Sequence, residues 1–568
     1  MTTRAHATER FKDLFTPKLI SVLREGYGRR DLTADAIAAL TVAIVALPLS
    51  MAIAIACGAE PQRGLYAAIF GGFVVSALGG SRHQVGGPAG AFIVLVAGTI
   101  ATHGIGGLLT ATLLAGIILV SAGYLRLGTY IRYIPYPVTV GFTAGIAAII
   151  FASQIRDLLG LKLSAPEPAA LLPKLEALNA ALFTFTPAAI GVSLLTILII
   201  VGFRAWRPRW PNLLVAVVTA SVLVALLGLP VDTIGTRFGG IPRTLPAPSL
   251  PIFSWPEAMS LLPVAISFAL LGAIESLLSA VVADSMTGRR HRSNCELVAQ
   301  GFANIASAMF GGLCVTGTIA RTATNVRSGA HGPVAGMLHS VFLLAFVLFA
   351  APLAAYVPLA ALAGVLATVA WNMAEKHAFG TLLRSSHADA VVLLATFGLT
   401  VFRDLTEGII VGFALSALLF IHRMAHSVEV EGVPVLPQED GAADIIDSEC
   451  AAQSYEAAGR DTLVYRITGA FFFGAAASVA AALDRIAERP RNFVLDFAGV
   501  RVIDSTAATT IASFARKQRA RDARVFVAGA SRHVRQELLA HGVREPEVHF
   551  RTDVTAAISE CNSGVAGA

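Results

Sequence analysis

Two glycine-rich stretches decide the fold: Gly86-Gly87-Pro88-Ala89-Gly90-Ala91-Phe92 and Val315-Thr316-Gly317-Thr318-Ile319-Ala320-Arg321. They lie about 230 residues apart, and each opens an apolar segment (88–102 and 319–330) shorter than the roughly 20 residues a helix needs to cross a bilayer. Each is the third apolar span in a set of seven. An odd number of spans per half turns the second half over relative to the first, giving an inverted repeat. Interrupted segments at matching positions of such a repeat point to a midplane binding site. A helix that starts inside the membrane leaves unpaired N–H groups and the positive end of its dipole there. Two such starts facing each other therefore predict an anion site that needs few charged side chains. Arg321 adds positive charge beside the second start. The competing reading is that the glycines only permit close helix packing.

Outward from these segments the chain is apolar from 34 to 426. The expected spans are 34–56, 64–80, 88–102, 106–125, 135–154, 187–204, 212–229, 258–284, 295–312, 319–330, 333–350, 355–373, 386–402 and 405–422, fourteen in all. Lipid offers the backbone no hydrogen-bond partners, so these runs must be helices. Of 568 residues, 55% are hydrophobic and 14% charged, with a mean hydropathy of +0.69. A soluble chain carries about a quarter charged residues. The composition thus excludes an ordinary soluble enzyme and intrinsic disorder. Five scattered cysteines with no Cys-x-x-Cys pair indicate neither a disulfide framework nor a zinc site.

The net charge of +6 lies mostly where cytoplasmic loops would put it. Arg82, Arg126, Arg204, Arg289, Arg290, Arg292, Lys376 and Arg423 end or follow even-numbered spans when the N-terminus is inside, while Arg156, Lys162 and Lys174 in an outer loop and Arg327 in a short span blunt the pattern without reversing it. Residues 1–33 are polar and carry no apolar signal segment, so they are expected to be a cytoplasmic tail. Both termini are expected inside and the chain in the bilayer of a bacterial inner membrane. Basic stripes with interleaved aromatics are missing, which argues against nucleic acid. So are a phosphate-binding Gly-rich loop ending in Gly-Lys-Ser/Thr and a His-Glu-x-x-His pair, which argues against a nucleotide-driven pump, an enzyme, a metal or any other cofactor.

Ionisable residues inside spans are costly and mark function. Glu275, in Leu271-Gly272-Ala273-Ile274-Glu275-Ser276, lies well inside the eighth span, and Ser279 follows one turn later on the same face. They form the candidate cation-coupling pair, against the plainer reading of Glu275 as a structural partner for a neighbouring helix. Asp284 near the cytoplasmic end reads equally as a solvated helix end. Beyond His426 the composition turns soluble. A linker, 427–460, precedes an α/β layer domain at 461–560, with 561–568 as a tail. Its expected strands are Thr462–Thr468, Asn492–Phe497 and Arg524–Ala528. Its expected helices are Ala476–Ala487, Ser505–Gln518 and Ser531–His541.

Together, Leu47-Pro48-Leu49-Ser50-Met51-Ala52, Gly64-Leu65-Tyr66, Gly87 to Phe92, Leu271 to Leu278, Asn294-Cys295-Glu296-Leu297 and Ile319 to Asn325 resemble the sulfate permease (SulP, solute carrier 26) family of anion transporters. The tail is similar to a STAS domain. The resemblance implies a polytopic α-helical protein of seven plus seven spans in which a core domain rocks against a gate domain in an elevator-like cycle, working as a homodimer. It places a small inorganic or organic anion at Ala89, Gly90 and Ala91 and at Thr318, Ile319, Ala320 and Arg321, with Leu49 and Phe92 as nearby lining. Glu275 matches the eighth-helix carboxylate, where sodium-coupled bicarbonate relatives carry a shorter Asp; Glu favours a proton. Leu49 stands where many members have Gln. Ile503-Asp504-Ser505-Thr506-Ala507 resembles a phosphorylation loop with Thr506 at the modified position, although Ala507 replaces its glycine and a hydroxyl at a helix start is also an ordinary cap.

Within the family the pattern is most similar to bacterial C4-dicarboxylate transporters of the DauA type, which implies fumarate or succinate, with sulfate or bicarbonate as close candidates. The leading expectation is proton-coupled anion symport. The others are sodium-coupled bicarbonate symport, and an uncoupled exchanger or channel on the same scaffold.

Overall fold

The computed structural model describes residues 14–563 apart from 132–134, 165–166, 169, 207–210, 252–253, 404, 426–428, 434–461, 473–474, 477–478, 481–482 and 484–489. The chain divides into two compact units, residues 1–413 and 414–568.

The first unit opens with α1 (Lys18–Gly26) and α2 (Arg29–Ala56), followed by α3 (Pro61–Tyr66), a π-helical turn at Ala67–Gly71 and α4 (Gly72–Leu78). Strand β1 (Gly86–Gly87) leads through a 3-10 turn at Gly90–Phe92 into α5 (Ile93–Tyr124). Then come α6 (Tyr136–Leu159), α7 (Pro187–Trp206) and α8 (Asn212–Leu227). The order repeats with α9 (Trp255–Thr287), α10 (Ser293–Met309), β2 (Thr316–Gly317), α11 (Ile319–Arg327), α12 (Pro333–Phe349) and α13 (Leu359–Met373). It closes with α14 (Lys376–Ser385), α15 (His387–Phe402) and the first part of α16 (Leu405–Ala425), the helix in which the division between the units falls.

Every expected span falls on helix. Among the described residues, six helices are long and apolar enough to cross a membrane, and α8, α12 and α15 are shorter apolar ones. The break expected between 102 and 106 is present as a kink: α5 is two helices joined at Gly104, which leaves helical geometry (φ 66°, ψ −171°), a conformation glycine adopts without a Cβ clash. One difference stands out. Lys376–Ser385, expected as loop, forms α14, because Phe379 and Leu382 give it an apolar face that packs near Val140 and Leu393.

The two glycine-rich stretches meet. Strands β1 and β2 pair antiparallel, Gly86 with Gly317 and Gly87 with Thr316, the arrangement an inverted repeat needs where its halves cross. Three polar residues of α10, spaced so that they share one helix face, hold the approaches to this crossing. Glu296 accepts from the backbone N–H of Gly80 (2.9 Å) and Ser81 (3.1 Å) and from Gln300 Nε2 (2.9 Å). Asn304 accepts from Val315 N (2.9 Å) and donates to Val315 O (2.8 Å), so one side chain satisfies both backbone groups of the residue before β2. Buried backbone groups need such partners.

The second unit carries a sheet in the order β3-β4-β5-β7-β8, with β6 also on β4. The strands are β3 (Glu429–Val433), β4 (Thr462–Phe471), β5 (Asn492–Asp496), β6 (Val500–Ile503), β7 (Arg524–Ala528) and β8 (His549–Arg551). Pairs β4–β5, β5–β7 and β7–β8 are parallel, which requires crossover helices. Two of these are α17 (Ser505–Arg519) and α18 (Arg532–Ala540); α19 (Val554–Ser563) follows the last strand. The expected helix 476–487 lies largely outside the described residues. Phe471, Phe493, Phe497, Ile511, Val525 and Val534 form the core between sheet and helices.

Candidate functional site

The 3-10 turn at Gly90 and helix α11 both begin beside the β1–β2 crossing, and neither start is capped by a side chain. The first N–H groups of each helix, which have no intrahelical acceptor, therefore open onto a common space. That space is a cavity of about 330 Å3. It is walled by Ala89, Gly90 and Ala91 from the first start and by Thr318, Ile319, Ala320 and Arg321 from the second. Leu49 and Ile53 of α2 and Glu275 of α9 complete this side. Across from them, α6 contributes Phe142, Thr143 and Ile146, and α13 with its following loop contributes Leu366, Val369, Asn372 and Glu375.

Arg321 belongs to the wall, yet its guanidinium is turned into the protein, with the residue 1% exposed. Nη2 donates to Ser50 Oγ (3.1 Å) and Pro88 O (3.2 Å), and Nη1 donates to Gly86 O (3.4 Å). All three acceptors are neutral. The charge thus pins α2 to the β1 segment without being cancelled there. In a low-dielectric interior an uncancelled cation carries its field into the adjoining cavity.

Glu275 lines the same cavity, and its Oε2 is buried without a hydrogen-bond partner among the described residues. A buried carboxylate oxygen in that state calls for a proton, a cation or water. Two other expected site residues sit apart from the lining. Ser279 is one turn from Glu275 but donates to Thr322 Oγ1 (3.0 Å), and Thr322 in turn accepts from Val85 N (3.2 Å); it ties α9 to α11. Phe92 is buried edge-on against Phe268, with ring centroids 5.9 Å apart, and supports the first helix start from α9.

Sequence reasoning missed the facing wall. The α6 and α13 residues carry no signal beyond their apolar spans. Glu375 had one: a carboxylate just past a span, here in a left-handed conformation (φ 38°, ψ 47°) that a side chain with a Cβ seldom adopts. Burial pushes its carboxyl above the ordinary value. In the second unit, Asp504 caps α17 by accepting from Ala507 N (2.9 Å). The cap is therefore not a hydroxyl, and Thr506 is exposed.

Residues 32–396 match the model of the sulfate permease family, and 454–557 match the STAS domain. The chain belongs to the sulfate permease family. It is 37% identical over 511 residues, 89% of this chain and 93% of the relative, to the putative sulfate transporter YvdB of Bacillus subtilis. It is 30% identical over 520 residues, 90% of each, to the bicarbonate transporter BicA of Synechocystis. Among solved structures, the transmembrane domain of a cyanobacterial BicA is 30% identical, with a TM-score of 0.60 over 69% of this chain and 98% of that one. The murine Slc26a9 anion transporter in its inward-facing state is 18% identical with a TM-score of 0.82, covering 97% of this chain and 95% of that one; at that identity it shows the fold. Sulfate permease family members are multi-pass anion transporters, not enzymes, and this chain has the helical transporter fold with its C-terminal α/β STAS domain.

Proposed function

We propose that the chain moves a small divalent oxyanion across a bacterial inner membrane together with one proton, the anion held between the two helix starts and the proton on Glu275. Sulfate is the first candidate, in keeping with the name of the Bacillus relative; fumarate and succinate share its charge and fit a cavity of about 330 Å3. The observation that carries this reading is the charge within reach of one cavity. Each helix start supplies about half a positive charge, Arg321 supplies one more, and Glu275 is, among the described residues, the carboxylate that reaches it from inside the spans. With Glu275 protonated the helix starts and Arg321 present about two positive charges, a match for a dianion once Glu375, at the loop end of the cavity, is neutral as well. With Glu275 ionised the balance drops to about one, and the dianion is held less well. Binding and protonation then favour each other, as symport requires.

The two walls support an alternating-access reading, with the helix starts, α2 and α9 on one side and α6 and α13 on the other moving as separate bodies in an elevator-like cycle. Both termini lie in the cytoplasm, and the working assembly is a homodimer. The name of the BicA relatives supports bicarbonate as the anion of a second reading, in which sodium takes the proton's place and the ionised site is the matching state. The test is uptake of sulfate, succinate and bicarbonate into proteoliposomes under separately imposed proton and sodium gradients. Sulfate or succinate accumulation that follows the proton gradient supports the first reading. Bicarbonate accumulation that follows sodium alone replaces it with the second. Uptake indifferent to both gradients makes the chain an exchanger or channel.

A further inference from the structure

We infer that a second cavity in the first unit, between α2, α8 and α12, is a binding slot for one acyl chain of a membrane lipid. Its volume is about 670 Å3. Of the side chains that line it, only Ser221 and Tyr356 carry a nitrogen or oxygen. The Ser221 hydroxyl is already spent, donating to Val217 O (2.8 Å). An anion or a water cluster would find nothing to bind there; apolar cavities of this kind stay dry or take hydrocarbon.

Position and length point to a lipid rather than to a soluble apolar molecule. Along α2 the lining runs from Leu40 to Met51, about 16 Å at the helical rise. That is close to one leaflet, half of a hydrocarbon core about 30 Å thick. The slot also opens onto the bilayer-facing surface: its own lining residues Leu40, Val222 and Leu353 are 49%, 51% and 65% exposed. The phenol of Tyr356, 60% exposed, stands at one end, as tyrosines do at headgroup level.

A chain in this slot would brace the wall of the anion cavity. Leu47, Pro48 and Met51 line the slot, whereas Leu49 and Ile53 on the other face of the same turns of α2 line the anion cavity. Pro48 has no N–H, so α2 lacks the bond to the Ile44 carbonyl at this level and depends more on what packs against it. The bracing role rests on the proposed anion site; the lipid site does not.

The test uses the full chain in vesicles of phosphatidylcholine and phosphatidylglycerol containing a phosphatidylcholine with a photoreactive diazirine near the end of one acyl chain. After illumination the labelled peptides are mapped. Labelling of 40–51 and 214–225 is expected, together with labelling of the exposed α7 residues Leu194 and Leu198 as the surface reference. Ala43→Phe and, at a half-exposed position that folding tolerates better, Val222→Phe fill the slot. Each should reduce slot labelling about tenfold relative to α7, with α7 labelling confirming that the variant is folded and inserted. Unlabelled slot peptides beside a labelled α7, or slot labelling unmoved by both variants, overturns the proposal. No step requires transport, so failure of the anion reading would leave this result intact.

Discussion

Arg321 occupies the space that a side chain at position 87 would need: a Cβ on Gly87 would lie 1.8 Å from its Nη1. The guanidinium bonds the carbonyls on both sides of that glycine, Gly86 O and Pro88 O, as well as Ser50 Oγ. Gly87 and Arg321 come from opposite halves of the chain, so a charge carried in one repeat fills the space beside a glycine of the other, whose own backbone (φ 157°) also favours glycine.

Gly87→Ala should therefore act through Arg321. The added methyl expels the guanidinium from its three acceptors, and the anion should bind about tenfold more weakly, roughly 1.4 kcal/mol. Arg321→Ala should cost at least as much. In the double variant the costs should not add, because both remove the same interaction. Anion dissociation constants for the two single variants and the double variant check this; additive losses would mean that Gly87 serves some other purpose.

Glu275→Gln should uncouple transport without abolishing it. With one proton per anion, a gradient of one pH unit can drive at most about tenfold extra accumulation, since a pH unit is worth 1.36 kcal/mol. The variant should lose that response while still exchanging labelled for unlabelled anion across the vesicle membrane. Accumulation that still tracks the pH gradient would move the proton to another residue.

The helix starts were legible because Gly and Pro interrupting an apolar run have few meanings inside a bilayer. The direction of Arg321 was not. Its position two residues into α11 is compatible with a guanidinium that faces the anion or one that is bound by Ser50 and the β1 segment, and tertiary contacts choose the latter. Ser279 shows the same limit. Helical spacing places it near Glu275, but the hydroxyl bonds to Thr322 across to α11. The α6 and α13 wall was invisible because an apolar residue facing a cavity, a neighbouring helix or lipid looks alike in sequence. In the second unit alternation found β4, β5, β7, α17 and α18, since a parallel strand and its crossover helix have different periods, but it missed the short strands β3, β6 and β8 and the helix α19.

Glu375 should make transport faster in mild acid. It lines the anion cavity from the loop between α13 and α14, outside the spans, and burial raises its carboxyl above the ordinary value. As pH falls, the group becomes neutral earlier than an ordinary glutamate, and repulsion of the arriving anion ends. Equilibrium exchange, which needs no proton gradient, should therefore speed up toward lower pH in the parent protein. In Glu375→Gln it should be fast already at neutral pH, with this part of the profile flattened. A profile identical in both proteins would remove Glu375 from the anion's path.

Asp504→Ala should loosen the start of α17, whereas Thr506→Glu should not. Asp504 Oδ1 is the acceptor for Ala507 N, and loss of such a cap costs about 1 kcal/mol. Thr506 is exposed and lies in the first turn, where a negative charge is favoured by the helix dipole. The helix should therefore accept a glutamate there, and a phosphate by the same argument, without rearrangement. Hydrogen exchange of the α17 amides in the full-length protein separates the two. Protection should fall about tenfold in Asp504→Ala if the first turns open locally at that cost, and it should hold or rise in Thr506→Glu. Equal loss in both variants would mean that the hydroxyl of Thr506 has a structural task of its own, which would weigh against its use as a site of modification.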